Sequence, residues 1–455
     1  MNMDTNGTEQ LVQSLSSFND KERMAALKRL QGKGMNPREE LQNVNMHFHS
    51  FYSYNAEFWS PARIAWEAKQ RALYASGIID FDVLSGLEEF FKAGEILALR
   101  TNVGIETRAY LEEFEDKEID SPGEPGVSYI AGTGFFKIPV KGSPEEKTLE
   151  MYSKKAKARN IALIQGINRH VPEIALDYSD VIPLTPSGNA TERHIVSAYI
   201  QKAAEVFTEP DQRVVYWARI LDLDLLSCRE LLGSMHRFED VVRSKFAKRG
   251  GFGYVQPSRE TFPPVQDFFD FVRSCGAIPM ESWLDGSSEG EKEGRALLEL
   301  SVSKGAAALN IIPDRNWNIA DPEQKAIKTD QLRKIVETAV SMNMPLHIGT
   351  EMNKKGLPFV DDLEGAELNP YKEVFLEGAR ICVGHTLLGR FADFSYVGQN
   401  AESEFGKLER RNEFFASVGA LPAINVQTGN ALREAGIQKS FGLINDSAKQ
   451  GKWMV

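Results

Sequence analysis

The chain has 455 residues, enough for two or three domains of ordinary size or for one α/β barrel with additions. Hydrophobic residues at 42% and charged residues at 26% lie near globular averages, which excludes a wholly disordered, collagenous or coiled-coil chain. The 53 Lys and Arg against 64 Asp and Glu leave a net charge of -11, which argues against a broad duplex-binding surface but leaves local phosphate binding open.

Cys228, Cys275 and Cys382 are odd in number and widely spaced, so they form neither a disulfide framework nor a CxxC metal knuckle. No apolar run reaches the ~18 residues of a membrane span. Met1 to Leu11 lacks the basic-then-apolar order of a signal peptide, and a reducing cytoplasm is the expected location.

Residues 1–44 are polar apart from an amphipathic stretch, Asn19 to Leu30, which predicts a leader helix stopped by Gly32 and Gly34. Short runs such as Gly77 to Asp80 and Val103 to Glu106 then alternate with amphipathic segments such as Pro61 to Leu73. That alternation predicts a mostly parallel α/β sheet or barrel. Gly188 to Arg249 is helical in pattern throughout and reads as an insertion. Strand-like runs resume at Gly276 to Met280, Ala306 to Ile312, Met344 to Ile348, Arg380 to Val383 and Ala420 to Val426. In such architectures the carboxyl ends of the strands are where sites are built.

Met46-His47-Phe48-His49 is the most informative tetrad. Two imidazoles at i and i+2 on a strand share a face and can offer nitrogens to one ion. His47-Phe48-His49-Ser50 is followed by Ser53-Tyr54-Asn55, Ser60-Pro61 and Ile79-Asp80-Phe81-Asp82-Val83-Leu84-Ser85-Gly86, then by Val103-Gly104-Ile105-Glu106. Farther on come Arg249 to Val255, Gly276 to Met280 and Gly349-Thr350-Glu351-Met352-Asn353. In order and spacing these blocks, spanning about residues 45 to 356, resemble the PHP (polymerase and histidinol phosphatase) family, nearest to its nucleotide-phosphatase branch.

The resemblance implies a distorted PHP-type α/β barrel and a metal-dependent hydrolase. It implies a barrel in two parts, 45–187 and 251–356, interrupted by the insertion at 188–250, preceded by the leader at 1–44 and capped or completed by 357–455. His47, His49 and Glu106 keep ligands of the family's metal cluster, and Glu351 stands where it has Asp. Tyr54, Phe81, Tyr129, Trp283 and Asn353 replace other ligands, four of the five with aromatic rings. Removing cations from such a cavity must also remove their counter-charges, and rings accomplish that. What remains suits one Zn, Mn or Fe ion.

The expected metal ligands are therefore His47, His49, Glu106 and Glu351, with His385 as a further candidate near an apolar strand and His347 in a similar setting. Asp80 and Asp82 are expected to move a proton or to orient a ligand. Arg193 and His194, which resemble a phosphate-facing segment of the family, and the aromatic Tyr129 and Trp283 are expected to meet a small-molecule substrate. Lys354 and Lys355 follow the Glu351 strand end and are either an anion contact or an exposed loop pair. The alternative is a catalytically silent relative that binds a ligand or partner in an aromatic-lined pocket.

Overall fold

A computed structural model of the protein describes residues 5–33 and 40–455; Gly34 of the expected helix stop and the first four residues of the N-terminal segment lie outside that range. Seven strands, β1 (Val44–Phe48), β2 (Ala75–Phe81), β3 (Arg100–Tyr110), β4 (Val127–Thr133), β5 (Ile278–Trp283), β6 (Ala308–Ile311) and β7 (Leu346–Ile348), lie side by side in chain order. β1 to β3 are parallel, as are β5 to β7, while β4 runs antiparallel to both its neighbours. Beyond β7, the Glu351 N–H donates to the His47 carbonyl at 2.8 Å and the His49 N–H donates to the Glu351 carbonyl at 2.7 Å. These bonds bring the end of the sheet back to its start, so the fold is a distorted, nearly closed α/β barrel.

The direction of β4 matters for the site. The parallel strands present their carboxyl ends at one mouth of the barrel, and an antiparallel β4 presents its amino end there, carrying Tyr129 opposite Arg108. The strands are buried along most of their length, polar residues included, because both faces are covered. The helix Pro61–Gln70 begins where Ser60 accepts from the Arg63 N–H at 3.0 Å with Pro61 in the first turn, the N-cap chemistry that the Ser-Pro pair encodes. The leader holds two helices among its described residues rather than the one expected, Thr5–Ser14 and Asp20–Gly32, the second capped by Asn19.

Between β4 and β5 the helices Pro144–Asn168, Glu192–Val206, Pro210–Leu221, Leu225–Leu232 and Met235–Ala247 enclose their own core, including Ile164, Tyr199, Trp217, Phe238 and Phe246. Among the described residues, no helix is long and apolar enough to cross a membrane.

Two expected strands are not strands. Arg380 to Val383 lies within the helix Lys372–Ala392, and Ala420 to Val426 is an irregular link into the helix Val426–Ala435. The helix Lys372–Ala392 is buried on nearly every side, so it lacks the polar stripe that marks a surface helix, and a four-residue apolar window of it reads like a core strand. It packs so closely that a Cβ on Gly384 would collide with the Phe415 carbonyl and one on Gly378 with that of Leu346. Gly384→Ala is therefore expected to destabilise the fold by about 2 kcal/mol or more, measured by denaturant unfolding.

On β5, alternation turns Glu281 and Trp283 out of the barrel. The Glu281 carboxylate lies fully buried against the helix Gly294–Ser303, accepting from Ser301, from Ser128 at 3.3 Å and from the Ser282 N–H at 3.2 Å. Burial pushes its pKa up to about 7, so folding gains protonation between the ordinary carboxylate range and pH 7. The contribution is fully present at low pH and is lost as pH rises from about 4.5 to about 7. Glu281→Gln should flatten this loss relative to wild type, by about 3 kcal/mol at pH 8, in melts taken across pH 5 to 8.

Candidate metal centre

His47 and His49 stand two residues apart at the end of β1, on one face, with ring centroids 5.2 Å apart. Glu106, on β3 beside Phe81 of β2, reaches the same point: its Oε2 is 3.4 Å from His49 Nε2 and 3.8 Å from His47 Nε2. All three donor atoms lie within 4.8 Å of one another, and this is the one such group of three or more found among the described residues. Two nitrogen or oxygen ligands of a tetrahedral ion at about 2.0–2.1 Å stand roughly 3.3 Å apart, so the Glu106 spacings of 3.4 and 3.8 Å need only a small contraction.

The electrostatics agree with the geometry. His47 Nε2, His49 Nε2 and Glu106 Oε2 are buried with no hydrogen-bond partner, an arrangement that is costly unless something cationic satisfies all three. Burial lowers both imidazole pKa values, which keeps the rings neutral and available as ligands. Burial also raises Glu106, to about 8, against the opposing influence of His47. The donor set fits a divalent ion.

The orientation of His49 is set from behind. Asp80 accepts from the Ser50 N–H at 2.7 Å, the Ser50 hydroxyl at 2.6 Å and the Ser53 hydroxyl at 2.6 Å. Since Ser53 spends its single proton on Asp80, its oxygen accepts from His49 Nδ1 at 3.0 Å, which leaves His49 Nε2 bare toward Glu106. Asp80 is thus turned away from the centre and acts through Ser53. Asp82, at a positive φ of 59°, accepts from Thr107 at 2.6 Å and faces Arg159 at 3.8 Å. Its own N–H donates to the Glu106 carbonyl at 2.9 Å, so it braces the strand that carries Glu106.

Glu351 comes close without joining the group of three. Its backbone closes the barrel, at a positive φ of 61°, and its Oε2 accepts from Arg315 at 2.8 Å. Burial pushes its carboxyl up, but Arg315, with His47 and His49 behind it, outweighs burial and holds it at about 2. A permanent anion therefore stands beside both imidazoles, already paired with a guanidinium that is 41% exposed.

The other expected residues divide by position. Phe81 stacks on His49 at 4.8 Å and Tyr129 packs at a tilt on Phe81 at 6.1 Å, so rings lie directly beside the donors. Burial raises the Tyr129 hydroxyl to about 12, which keeps it a proton donor. Arg193 lies over Tyr54 at 5.8 Å, close enough to His49 to lower its pKa, and both Arg193 and Lys354 reach Asp240 of the insertion, at 3.9 and 2.8 Å. Tyr54, Arg193, Ser197, Glu239 and Arg243 line a recess between these elements.

His194 is used locally: its Nδ1 accepts from the Thr191 N–H at 3.1 Å and caps the helix that it opens. Trp283 points out of the barrel, its indole donating to the Glu291 carbonyl at 3.4 Å and its ring lying against Gly286. His385 is far from the donors in its bonding, with Nε2 on the Gly134 carbonyl at 2.9 Å and Nδ1 accepting from the Tyr396 N–H at 3.0 Å; both ring nitrogens are occupied, leaving none for an ion. His347 lies inside the barrel on β7, its ring 6.4 Å from that of His47.

Sequence reasoning passed over Asn310, Ser53 and Arg315. Ser53 was visible within the quoted block, and Asn310 is a lone amide in the otherwise apolar run Ala306 to Ile312, which is a signal of an interior polar contact.

No family model matches the chain, and no curated protein matches it. Among solved structures it is similar to a proposed metal-dependent phosphoesterase of Bifidobacterium adolescentis, with a TM-score of 0.46 and 14% identity over 71% of this chain and 94% of that one. It is also similar to an amidohydrolase of Chromobacterium violaceum with bound sulfate and no metal, with a TM-score of 0.47 and 15% identity over 74% of this chain and 96% of that one.

Proposed function

We propose that the protein is a metal-dependent hydrolase of PHP type, using a single divalent ion held by His47, His49 and Glu106 to cleave a small anionic substrate, phosphoester-like or another polar anion. The observation that carries this reading is the convergence of three buried donor atoms that lack any other partner. A bound Zn, Mn or Fe ion would polarise a substrate oxygen or lower the pKa of bound water to about 7. The chain's own residues supply the rest. Arg315 is half in solvent beside Glu351 and can turn toward an anion, Tyr129 holds a proton to donate, and Arg193 and Lys354 add positive charge at the insertion side.

One observation favours a second reading, a silent relative with a structural ion: His47 and His49 are 0% exposed and Phe81 lies flat on His49. Elemental analysis of protein purified without a chelating tag, followed by assays on a phosphomonoester and a phosphodiester with added Mn or Zn, separates the two. Stoichiometric metal with turnover is expected. Metal without turnover selects the structural ion, and a protein that takes up no metal ends both.

A further inference from the structure

The three donors are useful to an ion only if each imidazole keeps its proton on the far nitrogen. Ser53 enforces this for His49. Nothing described so far does so for His47.

Asn310, on β6 directly opposite His347 of β7, is 1% exposed. Its Oδ1 is 3.2 Å from His47 Nδ1 and 3.1 Å from His347 Nδ1, while its Nδ2 donates to Ser282 at 3.3 Å. An amide oxygen has two lone pairs and no proton to give. It therefore accepts from both imidazoles, which places a proton on each Nδ1 and leaves His47 Nε2 bare at the centre.

Without that acceptor, the competing tautomer puts the proton on His47 Nε2, where Glu106 Oε2 waits at 3.8 Å; that state satisfies two of the orphaned atoms by themselves and blocks an ion. We infer that Asn310 is a positioning residue for the metal centre, selecting the ligand form of His47 through its shared carbonyl oxygen. The inference rests on the single-ion reading above. It assigns to one buried amide the choice between a centre closed by its own proton and a centre open to a cation.

The test titrates Co²⁺ alone into the full-length protein, reading both affinity and the visible absorption of the bound ion. Asn310→Leu, similar in size but without an acceptor, is expected to weaken Co²⁺ binding 10- to 100-fold, the range typical of lost partners behind a ligand. Asn310→Asp keeps an accepting oxygen and should retain wild-type affinity or tighten it, with the wild-type absorption. Equal affinity in Asn310→Leu and wild type overturns the inference, as does an equal loss in both variants, which would mark a purely structural role. Should Asn310→Leu fail to fold, Ser282→Ala, which frees the amide to rotate, is expected to weaken Co²⁺ binding measurably, and unchanged binding there overturns the inference too. Wild-type protein that binds no Co²⁺ overturns the single-ion reading itself, a result distinguishable from any of these.

Discussion

Exchange of Glu106 for glutamine is expected to remove stoichiometric metal binding and, in the same protein, to raise the stability of the metal-free form. The carboxylate is 3% exposed, its Oε2 has no hydrogen-bond partner, and burial raises its pKa. An amide of nearly the same shape is a poorer ligand and avoids the cost of burying a carboxylate or protonating it on folding, so loss of metal and gain of stability come from one atom. Affinity for Zn or Mn should fall by more than 100-fold, beyond the effect of losing a partner behind a ligand. Melting in the presence of a chelator should show a gain on the order of 1–3 kcal/mol. A variant that keeps its metal, or a metal-free variant less stable than wild type, would contradict the assignment of Glu106 as a ligand held in readiness.

The second large effect lies far from the centre. Arg23 of the leader helix, 1% exposed, meets both carboxylate oxygens of Glu89, gives a further bond to the Ser17 carbonyl at 2.7 Å, and reaches the Tyr52 hydroxyl at 3.2 Å. Glu89 in turn accepts from the Ala62 N–H at 3.0 Å, at the start of the helix that the Ser-Pro pair initiates. Arg23→Met leaves that carboxylate buried without its partner, and a loss of about 3–5 kcal/mol is expected by denaturant unfolding. Adding Glu89→Gln should recover much of it, because the penalty belongs to the stranded charge more than to the contact. A loss below about 1 kcal/mol would mean that the leader contributes little to the fold.

The expected strand at Arg380 to Val383 and the expected ligand His385 failed for the same reason. Local pattern reports periodicity, and a helix buried all round has none to report. His385, read as the end of an apolar strand, sits mid-helix with its ring nitrogens tied to two backbone groups from other segments. Trp283 shows a related failure: the strand was foreseen, but which of its two faces turns inward depends on register against β4 and β6. A shift by one residue exchanges the faces entirely.

What the residues determined unaided was short-range. The i, i+2 histidines share a face once their segment is a strand, and the Ser-Pro start and alternating segments predict a mostly parallel α/β sheet or barrel. Which carboxylate completes the pair of imidazoles was decided by tertiary structure. Glu106 arrives unpartnered on β3, while Glu351, equally foreseeable, is claimed by Arg315 from the preceding strand end. Ion pairing is settled by distance in space, and the distance between two strand ends is a property of the closed barrel that no stretch of chain contains.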